Sequence, residues 1–556
     1  MRLRSANNHI DSNSNTVIMI RRFALSLPIL LAGLVVYPAA GQANNTQTPK
    51  LVVFITVDAM RPDYLPRFGQ QLTGGLGRLY KGGAVFTNGF QDHAITETAP
   101  GHSVTMSGRF PVHTGISANT AGVNDTTVSL IDASGLGASP FRFRGTTLTD
   151  WLIAKDPRTR VLSVSRKDRA AILPIGRSKQ PVFWYAPNGI FTTSTYYGSS
   201  LPEWVRAFNA RKLPASYAGK AWELLLPDSA YSERDSVPIE SGGNNFVFPH
   251  LESSSPDSAA RLFPEFPWMD ELTLDFAMTG VNALNLGAGP QTDVLAISLS
   301  TTDAVGHRYG PDSREVHDQI LRLDRALGSF LDSLFRIRNP RDVVVALTAD
   351  HGLTPYPEVH AHDPNAGAVR VNPRPLLQYL SNSLAAAGVE GYGLNYMGGG
   401  YTGNGFSFDG GVLELDRSAL SKAHINRDSL VRAIRASFLK VAGVGRADRI
   451  LELAQRDTVN DRIGRRWLHM FSDEDKAALV VTLAPYNYWL SSYQAQHGSP
   501  NDSDARVPII FYGSGIKPGR YDEFARVVDM APTLAAIVHV TPQEKLDGHV
   551  LQNAIR

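Results

Sequence analysis

The sequence predicts an α/β fold with a doubly wound, mostly parallel sheet and helices on both faces. Four short apolar runs, rich in β-branched residues and with little polar alternation, are typical of strands buried on both faces. They are LVVFITV (51–57), DVLAISLS (293–300), DVVVALT (342–348) and VPIIFYG (507–513). Residues 314–337 carry apolar side chains at helical spacing. The order strand, helix, strand indicates parallel strands.

The length of 556 residues exceeds what one simple core holds, and two long regions break the alternation of strands and helices. Residues 186–264 are rich in aromatic, Ser and Pro residues, and 375–475 contain the Gly-rich YMGGGYTGNG. We interpret both regions as insertions that form a smaller cap over the sheet. The α/β core then consists of 44–185, 265–374 and 476–556.

The N-terminal segment has the pattern of an export signal. Arg21 and Arg22 precede the apolar FALSLPILLAGLVVY, which is followed by the small residues of PAAGQA. We therefore expect a signal peptide over 1–43 and an exported protein, either periplasmic or secreted. A membrane anchor is the alternative, but the apolar segment is short and is broken by Pro28. We expect no stable membrane anchor.

The composition excludes several classes of function. Cysteine is absent, which excludes disulfides, thiolate nucleophiles and sulfur ligands for a metal. A net charge of +2 without a long basic run argues against a nucleic-acid-binding surface. Any bound metal must therefore be held by His, Asp, Glu or hydroxyl groups. Nothing in the sequence specifies an oligomeric state.

Acidic and histidine residues recur at the ends of the four predicted strands. They are Asp58 after the first run, Asp303 and His307 after the second, Asp350 and His351 after the third, and His497 before the fourth. Each alone is typical of a helix N-cap or a turn, but loops at the carboxyl ends of parallel strands converge on one crevice. Carboxylate and imidazole without sulfur suit zinc or a similar divalent ion. Six such ligands are enough for two ions about 4 Å apart, an arrangement used in phosphoryl transfer.

The segment HAITETAPGHSVTMSG (93–108) contains three threonines, of which Thr98 stands directly before APGH. Pro100 and Gly101 predict a tight turn, and SVTMSG predicts the helix that follows it. A hydroxyl at a helix N-terminus lies in a positive field that also favours phosphate, and metal coordination lowers its pKa. Thr98 is therefore the candidate nucleophile, and an ordinary turn is the alternative.

These motifs resemble those of the alkaline phosphatase superfamily, in its branch with a threonine nucleophile. TAPGHSVTMSGRFPVHTGISAN is similar to the nucleophile segment, DAVGHRYGP and ADHG to the central metal motifs, and HGSPNDSDARVPIIFYG to the C-terminal one. The branch includes nucleotide pyrophosphatase/phosphodiesterases and bacterial periplasmic alkaline phosphatases. The resemblance spans residues 50–540 and implies an alkaline-phosphatase-like fold.

The resemblance also implies roles for individual residues. Thr98 matches the nucleophile, which forms a phosphothreonine intermediate, and Asn119 matches a hydrogen-bond donor to a nonbridging phosphate oxygen. Two Zn²⁺ ions are the implied cofactors. Their implied ligands are Asp58, Asp350, His351 and the Thr98 oxygen for the first zinc, and Asp303, His307 and His497 for the second.

The stretch VSRKDRAAILPIG (164–176) resembles the Lys-x-Arg motif of the monoesterases in this branch. A monoester dianion carries more charge on its nonbridging oxygens than a diester does, and Lys167 and Arg169 could both bind that charge from an extended loop. A solvated surface patch is the alternative for such a basic cluster. We therefore expect a zinc-dependent alkaline phosphatase that hydrolyses small-molecule phosphate monoesters and has a broad substrate range.

Two other functions remain open at this point. A type I phosphodiesterase or nucleotide pyrophosphatase with the same metal site is the alternative among enzymes. A catalytically inactive, zinc-dependent binding protein is the alternative from another class. A sulfatase is disfavoured, because that branch uses a modified Cys or Ser and this chain has no cysteine.

Overall fold

The computed structural model describes residues 48–361, 367–397, 399–473, 477–490 and 495–556. The predicted signal peptide over 1–43 lies outside this part of the chain. None of the helices within the described ranges is long and apolar enough to cross a membrane.

The described residues form nineteen strands and nineteen α-helices, each set numbered in chain order. The strands are β1 (Leu51–Val57), β2 (Ala84–Phe90), β3 (Val161–Ser165), β4 (Val182–Ala186), β5 (Ile190–Thr192), β6 (Ala221–Trp222), β7 (His250–Leu251), β8 (Asp293–Leu299), β9 (Val343–Thr348), β10 (Arg370–Val371), β11 (Asn395–Met397), β12 (Gly400–Gly403), β13 (Phe406–Asp409), β14 (Val412–Leu415), β15 (Val444–Asp448), β16 (Leu479–Leu483), β17 (Tyr488–Trp489), β18 (Ile509–Gly513) and β19 (Gly519–Arg526). The helices are α1 (Tyr64–Arg67), α2 (Gly75–Gly82), α3 (Thr98–Thr105), α4 (Pro111–Thr114), α5 (Leu148–Lys155), α6 (Asp168–Ile172), α7 (Glu203–Asn209), α8 (Pro256–Leu262), α9 (Trp268–Ala283), α10 (Thr301–Tyr309), α11 (Arg314–Ile337), α12 (Pro357–His360), α13 (Arg374–Ala386), α14 (Arg417–Lys422), α15 (Arg427–Phe438), α16 (Ile450–Leu453), α17 (Arg462–Leu468), α18 (Asp502–Ala505) and α19 (Met530–Ile537).

A nine-stranded sheet in the order β19-β2-β18-β9-β1-β8-β3-β4-β5 forms the centre of the fold. The five strands β9, β1, β8, β3 and β4 run parallel to one another. Every residue of β1, β8 and β9 is buried, which explains their continuous apolar sequences. The predicted α/β fold with a mostly parallel sheet is confirmed.

The fourth predicted strand departs from the parallel arrangement. β18 runs antiparallel to both of its neighbours, β9 and β2. The segment that enters β18 therefore lies at the edge of the sheet where β1, β8 and β9 end. This reversal explains how His497, which precedes its strand, can join side chains that follow theirs.

The two predicted insertions have different surroundings. Within 186–264, β5 pairs with β4 in the nine-stranded sheet, and Phe191 and Phe208 belong to the large core around that sheet. Within 375–475, five strands (β11 to β15) join β16 in a second, six-stranded antiparallel sheet of order β11-β12-β13-β14-β16-β15. Leu377, Phe408 and other residues of this region form a separate core of their own. The boundaries of core and cap stay predictions.

The segment around Thr98 differs from the predicted turn followed by a helix. The helix α3 begins at Thr98 itself, so that Pro100 and Gly101 lie in its first turn. Proline is tolerated there because the first backbone N–H groups of a helix have no partner within it. Glycine is required at position 101 for a different reason. A β-carbon at this position would lie 2.7 Å from Cβ of Asp350 and even closer to the Asp350 carbonyl oxygen. The tight turn was a wrong prediction, and close helix packing explains the glycine.

Replacing Gly101 by alanine is expected to lower the free energy of unfolding by about 1–3 kcal/mol, since the new methyl group must push α3 away from Asp350. Helix propensity alone would favour alanine by about 1 kcal/mol, so the sign of the change separates the two effects. Urea unfolding measures it. Gly198→Ala is the matched control, because the nearest atom to its added β-carbon is 3.9 Å away. An increase in stability for Gly101→Ala would contradict the packing explanation.

Candidate active site

The first group of potential metal ligands lies where β1 and β9 end. Asp58 follows β1 directly, and Asp350 and His351 follow β9 by two and three residues. The three side chains are fully buried, and one ligand atom from each lies within 4.8 Å of the others. Nε2 of His351 is 3.3 Å from Oδ1 of Asp58 and 3.5 Å from Oδ2 of Asp350.

A second group lies beside the first and shares His351 with it. Asp303, His351 and His497 place ligand atoms within 4.8 Å of one another. Asp303 and His307 stand one helical turn apart on α10, with 3.2 Å between Oδ1 and Nε2. The His497 ring stacks on His351 with 3.6 Å between centroids. The structure thus brings all six predicted carboxylate and imidazole ligands together, and it places His351 between the two groups.

The three imidazole rings are held in the orientation that a metal ligand requires. Each ring hydrogen-bonds through Nδ1 to a backbone carbonyl: His307 to Ala495 (2.8 Å), His351 to Gly352 (2.9 Å) and His497 to Thr96 (2.8 Å). Because a carbonyl oxygen only accepts, Nδ1 carries a proton, and Nε2, which faces the carboxylates, is the nitrogen available to a metal. Burial also holds the pKa of His497 well below its usual range, so this ring stays neutral.

The electrostatics of the two groups call for a cation. Burial raises the pKa of Asp58, and the negative charges of Asp303 and Asp350 raise it further. Burial also raises the pKa of Asp303, but the charges of Lys167 and His307 outweigh that effect and hold it well below its usual range. Two like charges about 4–5 Å apart repel by about 3–4 kcal/mol at an effective dielectric constant of 20.

Several buried ligand atoms have no hydrogen bond of acceptable geometry within the described part of the chain. They are Oδ1 of Asp58, Oδ1 of Asp303, Oδ2 of Asp350 and Nε2 of His351. Buried polar atoms without a partner are costly, and here they point into the two groups just described. A divalent cation would pair with all of them, and an oxygen and nitrogen donor set without sulfur suits zinc or a similar ion.

The ammonium of Lys167 links Thr98 to both groups. Thr98 is the first residue of α3, and its side chain is buried. Nζ of Lys167 donates a hydrogen bond to its Oγ1 at 3.3 Å, and the same ammonium is 2.5 Å from Asp58 Oδ2 and 2.6 Å from Asp303 Oδ2. One lysine therefore contacts the hydroxyl and a carboxylate of each group.

Asn119 and Arg169 complete the set of predicted residues. The backbone N–H of Ala99 donates to Oδ1 of Asn119 at 2.9 Å, so the amide NH₂ group is the part of this side chain that remains to donate to a ligand. Arg169 stands in the first turn of α6, with Lys167 as the N-cap, instead of in the extended loop that the sequence suggested. Together with Thr98, these residues line one cleft of about 780 Å³.

Comparisons with known proteins identify the family. Residues 52–373 match the model of the family described as type I phosphodiesterase / nucleotide pyrophosphatase. The chain belongs to this family. It is 31% identical to the alkaline phosphatase PhoV of Synechococcus elongatus over 529 residues, which cover 91% of this chain and 93% of PhoV. Identity to the alkaline phosphatase PafA of Elizabethkingia meningoseptica is 30%, over 90% of this chain and 93% of PafA.

A solved structure shows the same relationship. The crystal structure of wild-type alkaline phosphatase PafA aligns with a TM-score of 0.80 at 27% sequence identity, over 92% of this chain and 99% of that one. The predicted resemblance to the threonine-nucleophile branch of the alkaline phosphatase superfamily is confirmed. Within the phosphodiesterase and nucleotide pyrophosphatase family, this chain is therefore similar over about nine-tenths of its length to proteins named alkaline phosphatases.

Two neighbours of Thr98 were not predicted from the sequence as site residues. Glu97 accepts a hydrogen bond from the backbone N–H of Asn119 at 2.7 Å, and burial, followed by the charge of Asp409, raises its pKa to about 7. His102 lies one turn after Thr98, and its Nδ1 is 2.9 Å from the Thr98 carbonyl oxygen and 3.2 Å from Oδ2 of Asp350. The spacing of four residues was a signal for His102, whereas no pattern marked Glu97.

Proposed function

We propose that the protein is an exported, zinc-dependent alkaline phosphatase that hydrolyses phosphate monoesters of broad range through a phosphothreonine intermediate. The observation that carries the proposal is the position of Lys167, whose ammonium contacts the Thr98 hydroxyl and both carboxylate groups. The positive charge of Lys167 would pair with the additional negative charge that a monoester carries compared with a diester. Similarity to PhoV and PafA, both named alkaline phosphatases, over about nine-tenths of the chain supports the same activity.

Two divalent ions fit the two groups of buried ligands. Asp58, Asp350 and His351 would hold the first together with the Thr98 oxygen. Asp303, His307 and His497 would hold the second. When bound, the ions would supply Lewis acidity, which lowers the pKa of a hydroxyl and stabilises negative charge on a leaving oxygen. Zinc suits these donors, as it does in other oxygen- and nitrogen-ligated catalytic sites.

Residues of the chain supply the nucleophile and bind the phosphoryl group. The Thr98 hydroxyl loses its proton to water, and Oγ1 forms a bond to phosphorus while the bond from phosphorus to the leaving oxygen breaks. The leaving oxygen takes up a proton from water and departs as the alcohol. Water then cleaves the phosphothreonine and restores the hydroxyl. The NH₂ group of Asn119 and the cations of Lys167 and Arg169 bind the nonbridging oxygens, whose negative charge is larger in a monoester than in a diester.

A type I phosphodiesterase or nucleotide pyrophosphatase activity is the second candidate. It is favoured by the match of residues 52–373 to the family of that description. The same metal ligands and the same Thr98 would serve it. The two candidates differ in whether Lys167 and Arg169 contribute more to monoesters than to diesters, so alanine variants of these two residues separate them.

Thr98→Ala is expected to lower kcat/KM for an aryl phosphate monoester by at least about 10³-fold, because the attacking oxygen is removed. Thr98→Ser keeps a hydroxyl and should retain measurable turnover. Acid quenching during turnover of a ³²P-labelled substrate should trap label on the wild-type chain and none on Thr98→Ala. Thr105→Val is the control, since that hydroxyl donates to the His102 carbonyl at 2.7 Å and not to the cleft. Activity of Thr98→Ala near that of the wild type would refute the mechanism.

Metal analysis by mass spectrometry is expected to find two zinc ions per chain, and chelation should abolish activity and lower Tm. Added Zn²⁺ should restore both, because an ion at 100 times its Kd stabilises the folded state by about 2.7 kcal/mol. His497→Ala should lose about one ion per chain. His113→Ala should lose none, because that side chain is largely exposed and pairs with Asp547. Full zinc content in His497→Ala would contradict the ligand assignment.

Lys167→Ala and Arg169→Ala are each expected to lower kcat/KM for a monoester by about 10–100-fold, the range of a charge-assisted hydrogen bond. The loss for the matching diester should be several-fold smaller, because a diester presents less charge. Lys179→Ala is the control, since that ammonium lies over the Tyr196 ring and lines no part of the cleft. Equal losses on both substrates would favour the phosphodiesterase, and metal content should be checked in each variant.

A further inference from the structure

The cleft is much larger than a phosphoryl group requires. Its volume of about 780 Å³ lies in the range of pockets that enclose ligands of drug size, about 300–1,000 Å³. Thr98, Lys167 and Arg169 line one part of it. Aromatic side chains of the second sheet and of the β17 segment line another part: Tyr396, Tyr401, Phe408, Tyr488 and Trp489. The alcohol part of the substrate, which leaves with the bridging oxygen, has to lie in the remaining space.

The strand register of the second sheet arranges three of these aromatic residues in a row. Tyr396 on β11 is the cross-strand partner of Tyr401 on β12, and Tyr401 is the partner of Phe408 on β13. Direct partners on antiparallel strands project from the same face of a sheet. The rings of Tyr396 and Tyr401 are 4.8 Å apart between centroids, and Trp489 meets Phe408 edge-on at 5.1 Å. We call Tyr396, Tyr401 and Phe408 the aromatic row.

The aromatic row runs from the interior of the second sheet out to the solvent. Phe408 is 2% exposed and stacks on Phe438 in the core of that sheet, whereas Tyr396 is 53% exposed. The inner end is explained by packing of the core. The outer end is an apolar ring held in place by its neighbour, at the wall of a cleft that also contains Thr98.

An exposed ring at the wall of a cleft can bind another planar ring. Aromatic pairs separated by about 4.5–7 Å gain energy beyond the burial of their area, and tyrosine combines a flat apolar face with a polar hydroxyl. An aliphatic alcohol offers no face to stack. A ring that leaves with the ester oxygen, either an aryl group or the base of a nucleoside, matches the row.

On the basis of the phosphatase activity proposed above, we propose that the aromatic row is a subsite for planar leaving groups. The enzyme then favours phosphate monoesters of aryl alcohols and nucleosides over those of small aliphatic alcohols. Its residues belong to the second sheet, and it stands apart from the metal ligands and from Asn119, Lys167 and Arg169. Tyr396 is a specificity-determining residue of this subsite, and Tyr401 positions its ring.

The test compares kcat/KM for three monoesters in the wild type and in Tyr396→Ala: phenyl phosphate, adenosine 5′-monophosphate and glycerol 1-phosphate. We expect a loss of about five- to tenfold for a ring-bearing substrate and less than twofold for glycerol 1-phosphate. Tyr396→Phe keeps the ring and should retain the preference. Tyr401→Ala should give the same pattern. Because Tyr396 is half exposed, its variant keeps the core intact if Tyr401→Ala does not fold.

Tyr392→Ala is the matched control, since this tyrosine of the same segment is fully exposed and does not line the cleft. Losses confined to phenyl phosphate identify an aryl subsite, and losses confined to the nucleotide identify a nucleoside subsite. Equal changes for all three substrates, or none, overturn the subsite while the phosphatase activity stands. A wild-type enzyme that hydrolyses none of the three monoesters overturns the proposed function itself.

Discussion

The site depends on one constraint, which is that three carboxylates are buried together at one edge of the sheet. Asp58, Asp303 and Asp350 follow three neighbouring strands and have almost no contact with solvent. Their mutual repulsion has to be offset by positive charge, or one of them must take up a proton. Lys167 supplies part of that charge and contacts two of the three. The unpartnered oxygens that remain explain why this edge of the sheet suits cations.

The same constraint explains the helix that carries Thr98. The helix approaches Asp350 so closely that only a glycine at position 101 leaves room for it. His102, on the same helix, hydrogen-bonds through Nε2 to Ser298 on β8 at 2.9 Å. The helix that carries the hydroxyl is thus held against β8 and against the segment of Asp350, which is how a rigid scaffold holds a reactive group in place.

The central sheet and the metal ligands could be predicted because both depend on strong local signals. β1, β8 and β9 are buried on both faces, so their sequences are apolar throughout, and the residues that follow them converge for topological reasons. The antiparallel direction of β18 could not be predicted, since an apolar run of seven residues reads the same in both directions. The helical start at Thr98 was missed because Pro and Gly are turn residues in isolation, and the reason for Gly101 lies 249 residues away at Asp350. Glu97 gave no signal, because its partner, the N–H of Asn119, is a backbone group.

The role of the second sheet in substrate specificity could not be predicted from the sequence. The Gly-rich segment indicated only a break in the α/β pattern. Only the register of β11, β12 and β13 shows that Tyr396, Tyr401 and Phe408 lie side by side. That register aligns the half-exposed Tyr396 with Tyr401, and both line the cleft that also contains Thr98, Lys167 and Arg169. Charge at the sheet edge acts on the phosphoryl group, which all substrates share, so it cannot distinguish one alcohol from another. Discrimination among leaving groups has to come from surfaces that contact them, and the aromatic row is such a surface.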